Sequence, residues 1–151
     1  MENHFGLKTR KCKKSDYEFV FSLTKATIWP HLSEYLTPTK KIFDERFQME
    51  CKEMKILLKG DKKIGIYQIR KKGKTLHLNK LFLNPTYQNR GIGSFLLSYC
   101  DGLGYKRLIL QVWDNNKNAI RLYKSKGFKI INKKNHKYTM EKKTEIKWPM
   151  I

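Results

Sequence analysis

Apolar residues fall along this chain in two rhythms. Met54 to Lys59 (MKILLK) and Arg107 to Val112 (RLILQV) are compact apolar runs of strand length. Lys63 to Arg70 (KIGIYQIR) alternates, setting Ile64, Ile66, Gln68 and Arg70 against Gly65, Tyr67 and Ile69. Leu7 to Cys12 alternates more weakly and predicts a first strand, and Thr75 to Leu83 predicts another. The second rhythm is helical. Phe19, Val20, Leu23 and Ile28 follow an N-cap at Ser15-Asp16, and Trp29-Pro30 ends or bends that helix. A short helical piece is expected over His31 to Leu36. Thr37-Pro38 then opens a helix through about Glu50 with Ile42, Phe43, Phe47 and Met49 as its apolar set.

Punctuation supplies the rest. Gly60-Asp61 and Lys72-Gly73 are turns, which makes the three middle strands a meander. Ser94 to Leu103 reads as a helix closed by Gly104. Asn116 or Asn118 caps another through Lys126, with Gly127 at its C′ position. Phe128 to Ile131 and His136 to Met140 make a last strand pair around residues 132–135. This mixed order predicts an α/β fold: a single mixed, mostly antiparallel sheet flanked by helices, formed by one domain over 1–151 with a short tail at 144–151.

The chain has 151 residues, 40% of them hydrophobic and 13% aromatic, which is the composition of a globular core. No apolar run is long enough to span a bilayer, and MENHFGLKTRKCKK has no apolar leader, so the expectation is a soluble cytoplasmic protein without a membrane partner. Cys12, Cys51 and Cys100 show no metal-ligand spacing; reduced thiols are expected, Cys51 and Cys100 as packing residues, and no metal. Thirty-three Lys and Arg against 13 Asp and Glu leave a net charge of +20, a field that attracts polyanions. The cations are mostly Lys and are scattered, which favours a solvated surface over a dedicated nucleic-acid site.

Candidate chemistry concentrates in Leu78 to Leu97, LNKLFLNPTYQNRGIGSFLL. The strand breaks at Asn84-Pro85, a glycine-bearing loop follows, and a helix begins. Gly91 and Gly93 admit close backbone approach, and the free N–H groups at a helix start suit a phosphate or pyrophosphate. The loop fits neither GxxxxGK[ST] nor GxGxxG. Downstream, Asn116, Ala119 and Tyr123 share one helix face, where a small Ala beside a Tyr leaves room for a ligand.

Three signatures in order, the strand ending LFLNP, the Q-x-x-G-x-G loop at Gln88-Asn89-Arg90-Gly91-Ile92-Gly93, and N-x-x-A-x-x-x-Y followed by Gly127-Phe128, resemble the GNAT superfamily of acyl-CoA-dependent N-acyltransferases over roughly residues 7–140. The resemblance implies an N-acetyltransferase that moves the acetyl group of acetyl-CoA to a primary amine of a small molecule or peptide by direct transfer in a ternary complex. It implies that Gln88, Asn89 and the amides of Arg90, Gly91, Ile92, Gly93 and Ser94 hold the pyrophosphate. It gives the main chain of Phe82 and Leu83 to the pantetheine arm, Asn116 and Ala119 to the acyl end, and Tyr123 the role of general acid to the CoA thiolate.

The base is less plain. Where some members carry a Glu on the strand LILQV, this chain has Gln111, which takes no proton. Where others carry a Glu six residues before the end of the strand preceding the loop, it has His77, with Asn79 on the same face. Imidazole titrates near neutrality and suits the task. His136 is a second candidate, and water a third. Trp29 and His31, from the early helices, border the acceptor pocket in the resemblance. Two other readings stand beside this one: a basic nucleic-acid-binding module, and an acyl-CoA sensor that binds without turnover. Either a monomer or a homodimer is compatible.

Overall fold

The computed structural model describes residues 5–144. Its strands are β1 Leu7–Lys11, β2 Met54–Lys59, β3 Lys62–Lys72, β4 Thr75–Leu83, β5 Arg107–Trp113, β6 Lys129–Lys134 and β7 Lys137–Lys143. Its helices are α1 Tyr17–Thr27, α2 Trp29–Leu32, α3 Lys40–Glu50, α4 Ile92–Asp101 and α5 Lys117–Ser125. The strands form a seven-stranded sheet in the order β1-β2-β3-β4-β5-β7-β6. β4 and β5 run parallel; β1–β2, β2–β3, β5–β7 and β6–β7 run antiparallel. This is the mixed, mostly antiparallel sheet the pattern predicts. Among the described residues no helix is long and apolar enough to cross a membrane.

The chain divides into two compact units, Met1–Ile69 with Lys80–Ile92, and Arg70–Asn79 with Gly93–Ile151. In the first, Val20 and Leu23 of α1 and Phe47 of α3 pack on Met54, Ile56 and Ile66, with Tyr17, Phe43 and Phe82 partly buried against them. Helical spacing brings Val20 and Leu23 to one stripe, and strand alternation brings Ile64 and Ile66 to one face. Tyr17, Phe21, Phe43 and Phe47 extend this core as aromatic contacts at 4.8–5.9 Å between ring centres. Asp16, 1% exposed, ends the entry to α1: both carboxylate oxygens accept from Arg10 at 2.8 Å, Lys63 lies 2.6 Å away, and the Lys13 amide donates at 2.8 Å. The Cys51 thiol, half-buried, donates to Cys12 Sγ at 3.3 Å, so these two thiols meet as well as pack.

In the second unit, Leu76, Leu78, Leu108, Leu110, Val112 and Met140 of β4, β5 and β7 are buried, as are Leu96, Leu97 and Cys100 of α4. Like the others, Cys100 is a free thiol. α4 and α5 come close enough that a Cβ on Gly93 would meet Leu122 Cδ2 at 3.1 Å.

Several boundaries move. α1 ends at Thr27, just ahead of Trp29-Pro30 as expected, and the same pair opens α2, because a proline in the first turn sacrifices no intrahelical bond. The helical piece is therefore Trp29–Leu32, not His31 to Leu36. α3 is capped by Thr39, whose hydroxyl accepts the Ile42 amide, not begun at Thr37-Pro38. α4 starts at Ile92, two residues before Ser94, since buried Ile92 anchors its first turn. The last hairpin turns at Asn135-His136, both in left-handed conformations with φ of 50° and 65°, which is the two-residue turn that suits the twist of paired strands. His136 thus lies in the turn and not on the strand. Of the expected tail at 144–151, Thr144 is tied to Lys106 through its amide at 3.0 Å, and residues 145–151 lie outside the described residues.

Candidate active site

The end of β4 is shaped by a single glycine. A Cβ on Gly65 of β3 would lie 2.5 Å from the Phe82 carbonyl oxygen and 2.9 Å from Leu83 Cδ2. The Phe82 carbonyl is therefore directed at β3, as is the Asn84 amide, which donates to the Ile64 carbonyl at 2.8 Å. Successive strand residues present their main-chain groups to opposite edges, so Leu81 and Leu83 present theirs away from β3. This redistributes the main-chain roles expected of Phe82 and Leu83: the ring of Phe82 packs in the core, and its carbonyl is committed to the sheet.

Pairing between β4 and β5 runs from Thr75↔Arg107 to Leu78↔Leu110 and goes no further, although both strands continue. The Asn84 side chain then accepts from the Thr86 amide at 3.0 Å and holds Pro85–Tyr87 as a 3-10 turn. Gln88 Nε2 donates back to the Leu83 carbonyl at 3.1 Å, closing the loop onto the strand end. Asn89 and Gly91 are left-handed, with φ of 60° and 85°, before α4 begins at Ile92. Asparagine is among the few non-glycine residues that adopt this conformation readily, which explains Asn89 in a loop that must turn twice. The first-turn amides of α4 have no intrahelical acceptor and lie at the positive end of its dipole. Arg90 is exposed, its guanidinium 5.4 Å from the Tyr87 ring centre.

In the second unit Asn116 caps α5, Oδ1 accepting the Ala119 amide at 3.3 Å. That leaves the amide nitrogen of its side chain as its donor. Tyr123 sits one turn beyond Ala119, edge-on to Phe128 with ring centres 5.9 Å apart. The Phe128 amide donates to the Tyr123 carbonyl at 3.0 Å, and Gly127 provides the left-handed residue, φ 93°, that closes the helix. Burial pushes the Tyr123 phenol up to about 12, because an anion there would lose its hydration. The phenol is held neutral and able to donate.

His77 is half-buried on β4, opposite Ile109 of β5, with Asn79 exposed two residues on. β4 lies between β3 and β5, so His77 is on an interior strand. His136 is 56% exposed at its hairpin tip, Nδ1 3.8 Å from Asp114 Oδ2, with Lys133 on the same carboxylate at 3.2 Å. Its carbonyl accepts the Asp114 amide at 2.9 Å. From Ile109 to Asp114 β5 advances roughly 16 Å, so the two histidines stand at different heights on the sheet and cannot serve one proton. In the first unit Trp29 packs on Phe21 at 5.7 Å and His31 is half-buried. Sequence reasoning passed over Asp114, whose contact with His136 needs the hairpin to form, and Lys59 and Lys62, which converge on Tyr87.

A family model described as Acetyltransferase (GNAT) family matches residues 20–128. The chain belongs to the GNAT acetyltransferase family. Acetyl-CoA is the acyl donor of GNAT enzymes. A search of curated proteins finds no match. Among solved structures, the chain is similar to the PaiA N-acetyltransferase of Thermoplasma acidophilum in complex with coenzyme A, at 18% identity and TM-score 0.71, covering 91% of this chain and 98% of that one. It is similar to the ribosomal-protein-S18-alanine N-acetyltransferase of Escherichia coli, at 16% identity and TM-score 0.66, covering 96% and 98%. It is also similar to the spermidine N-acetyltransferase of Vibrio cholerae in complex with CoA and spermine, at 16% identity and TM-score 0.66, covering 92% and 96%. At these identities the likeness is one of GNAT fold.

Proposed function

We propose that the chain transfers the acetyl group of acetyl-CoA to a primary amine of a small molecule or peptide, directly, in a ternary complex. The observation that carries this reading is the turn out of β4, where Gln88 closes on Leu83 and two left-handed residues lead into α4. The amides of Arg90, Gly91, Ile92, Gly93 and Ser94 would take the pyrophosphate, since unpartnered N–H groups at a helix start favour a dense negative charge. The main chain of Leu83, joined by Leu81, would pair with the pantetheine arm as an added strand, beside the end of β4–β5 pairing.

The chemistry then needs one acid and one base. As the thioester collapses, negative charge develops on the CoA sulfur, and the neutral Tyr123 phenol would donate its proton there. Asn116, through its side-chain N–H, would hold the acyl end beside Ala119. The attacking amine must be uncharged, and His77, with Asn79 on the same face, would accept its proton. Trp29 and His31 are assigned to the acceptor side, and His136 to none of these steps. Binding both substrates together supplies much of the rate by orienting them.

Thiol release from acetyl-CoA with a panel of amines tests the reading, with calorimetry of acetyl-CoA alone beside it. Turnover with at least one amine is expected. Absence of both turnover and binding rejects the proposal; binding without turnover on any amine turns it into a sensor.

A further inference from the structure

We propose that Lys59, Lys62 and Arg90, gathered around the ring of Tyr87, form a second anion site that takes the 3′-phosphate on the adenosine of the cofactor; this rests on the acetyl-CoA reading above. Lys59 and Lys62 are cross-strand partners on either side of the Gly60-Asp61 turn, and both are exposed. Their Nζ atoms lie 6.0 Å and 5.6 Å from the Tyr87 ring centre, and Arg90 Cζ lies 5.4 Å from it. Like charges directly opposite each other on paired strands destabilise the pair, and here a third cation joins them. Among the described residues no ion pair ties a carboxylate to any of the three; Asp61, in the turn itself, is also unpaired.

One cation on an aromatic face is ordinary packing of its stem. Three cations on one ring, uncompensated, make a focus of positive potential that a compact dianion would relieve. Position selects the dianion. Arg90 belongs to the loop whose amides would hold the pyrophosphate, and Tyr87 is fixed just before it by the Asn84-capped turn. In coenzyme A a short ribose bridge links the pyrophosphate to the 3′-phosphate, so an anion held at the loop brings the second one to its edge.

The full chain is titrated by calorimetry with acetyl-CoA and with its 3′-dephospho form, as wild type and as Lys59→Gln/Lys62→Gln. The wild type is expected to bind acetyl-CoA about tenfold more tightly than the dephospho form, a preference that shrinks as salt is raised. In the double variant the two ligands are expected to bind alike, with a melting temperature no lower than that of the wild type, since the facing like charges are gone. Equal binding of both ligands by the wild type overturns the proposal and leaves the acetyl-CoA reading standing, as does a preference that survives in the double variant. Failure of the wild type to bind either ligand overturns the acetyl-CoA reading, and this site with it.

Discussion

The Phe82 carbonyl oxygen approaches to within 2.5 Å of the place a Cβ on Gly65 would occupy. The atom in the way is backbone, committed to the sheet, and cannot swing aside as a side-chain tip would. Gly65→Ala must therefore push β4 from β3 at the point where β4 hands over to the Gln88–Gly91 loop. We expect a loss of about 3 kcal/mol, the upper part of the range for overpacking, read as a lower urea midpoint at unchanged slope. Acetyl-CoA binding should weaken as well, since the displaced segment carries Leu83 and its bond to Gln88. A variant as stable as the wild type would show that β4 yields at this site.

Asp16 gives the fold a defined acid sensitivity. Arg10 and Lys63, with the Lys13 amide, hold its carboxyl well below the usual carboxylate range, Arg10 contributing most. A depressed folded-state value means the folded chain binds fewer protons, so the stabilisation is complete above about pH 4, the unfolded value, and is lost as pH falls through the folded one. Asp16→Asn should cost about 2 kcal/mol at pH 7, below the usual figure for a buried pair because Arg10 and Lys63 are each about one-third exposed and can rehydrate. The difference between the two proteins should narrow as pH drops from 5 towards 2, which urea midpoints across that range measure. A constant difference would place the effect in shape instead of charge.

The strand and helix inventory was legible because period-two and period-3.6 patterns survive in short windows: KIGIYQIR lies within β3, and the helix expected through Lys126 is α5, Lys117–Ser125, with Asn116 rather than Asn118 as its cap. What was hidden depended on partners distant in sequence. Nothing in NKKNHKYTM says that His136 rather than Asn132 turns the hairpin, because left-handed pairs are chosen by strand register as well as residue type. Gly65 looked like one position of an alternating strand; its significance is the Phe82 carbonyl, seventeen residues away. The glycine-bearing turn into α4 was readable from Gly91 and Gly93, whereas the approach of the Phe82 carbonyl to Gly65 required the neighbouring strand. The cations on Tyr87 come from two segments that only the fold brings together.

Tyr123 is the residue on which the proposed chemistry depends most. Tyr123→Phe keeps the packing against Phe128 and removes the donor, so kcat should fall roughly 10²–10⁴-fold while acetyl-CoA affinity stays unchanged. Because burial raises the phenol to about 12, the acid form persists through the alkaline range and kcat should show no descending limb up to about pH 10. Steady-state rates from pH 6 to 10 on both proteins check this. Wild-type kcat after the substitution would remove Tyr123 from the acid role.

His77 and His136 divide the remaining question by position. His77 is half-buried on an interior strand with Asn79 two residues on, while His136 stands at a hairpin tip roughly 16 Å further along β5 with Asp114 beside it. If His77 accepts the amine proton, His77→Gln lowers kcat/KM by about 10²-fold and flattens the ascending acid limb of its pH profile. His136→Gln should leave that limb in place, because its imidazole stands at another height on the sheet. A profile that keeps its acid limb without His77 and loses it without His136 would move the base to the hairpin, with Asp114 as its orienting carboxylate. A limb that survives both substitutions would assign the deprotonation to water.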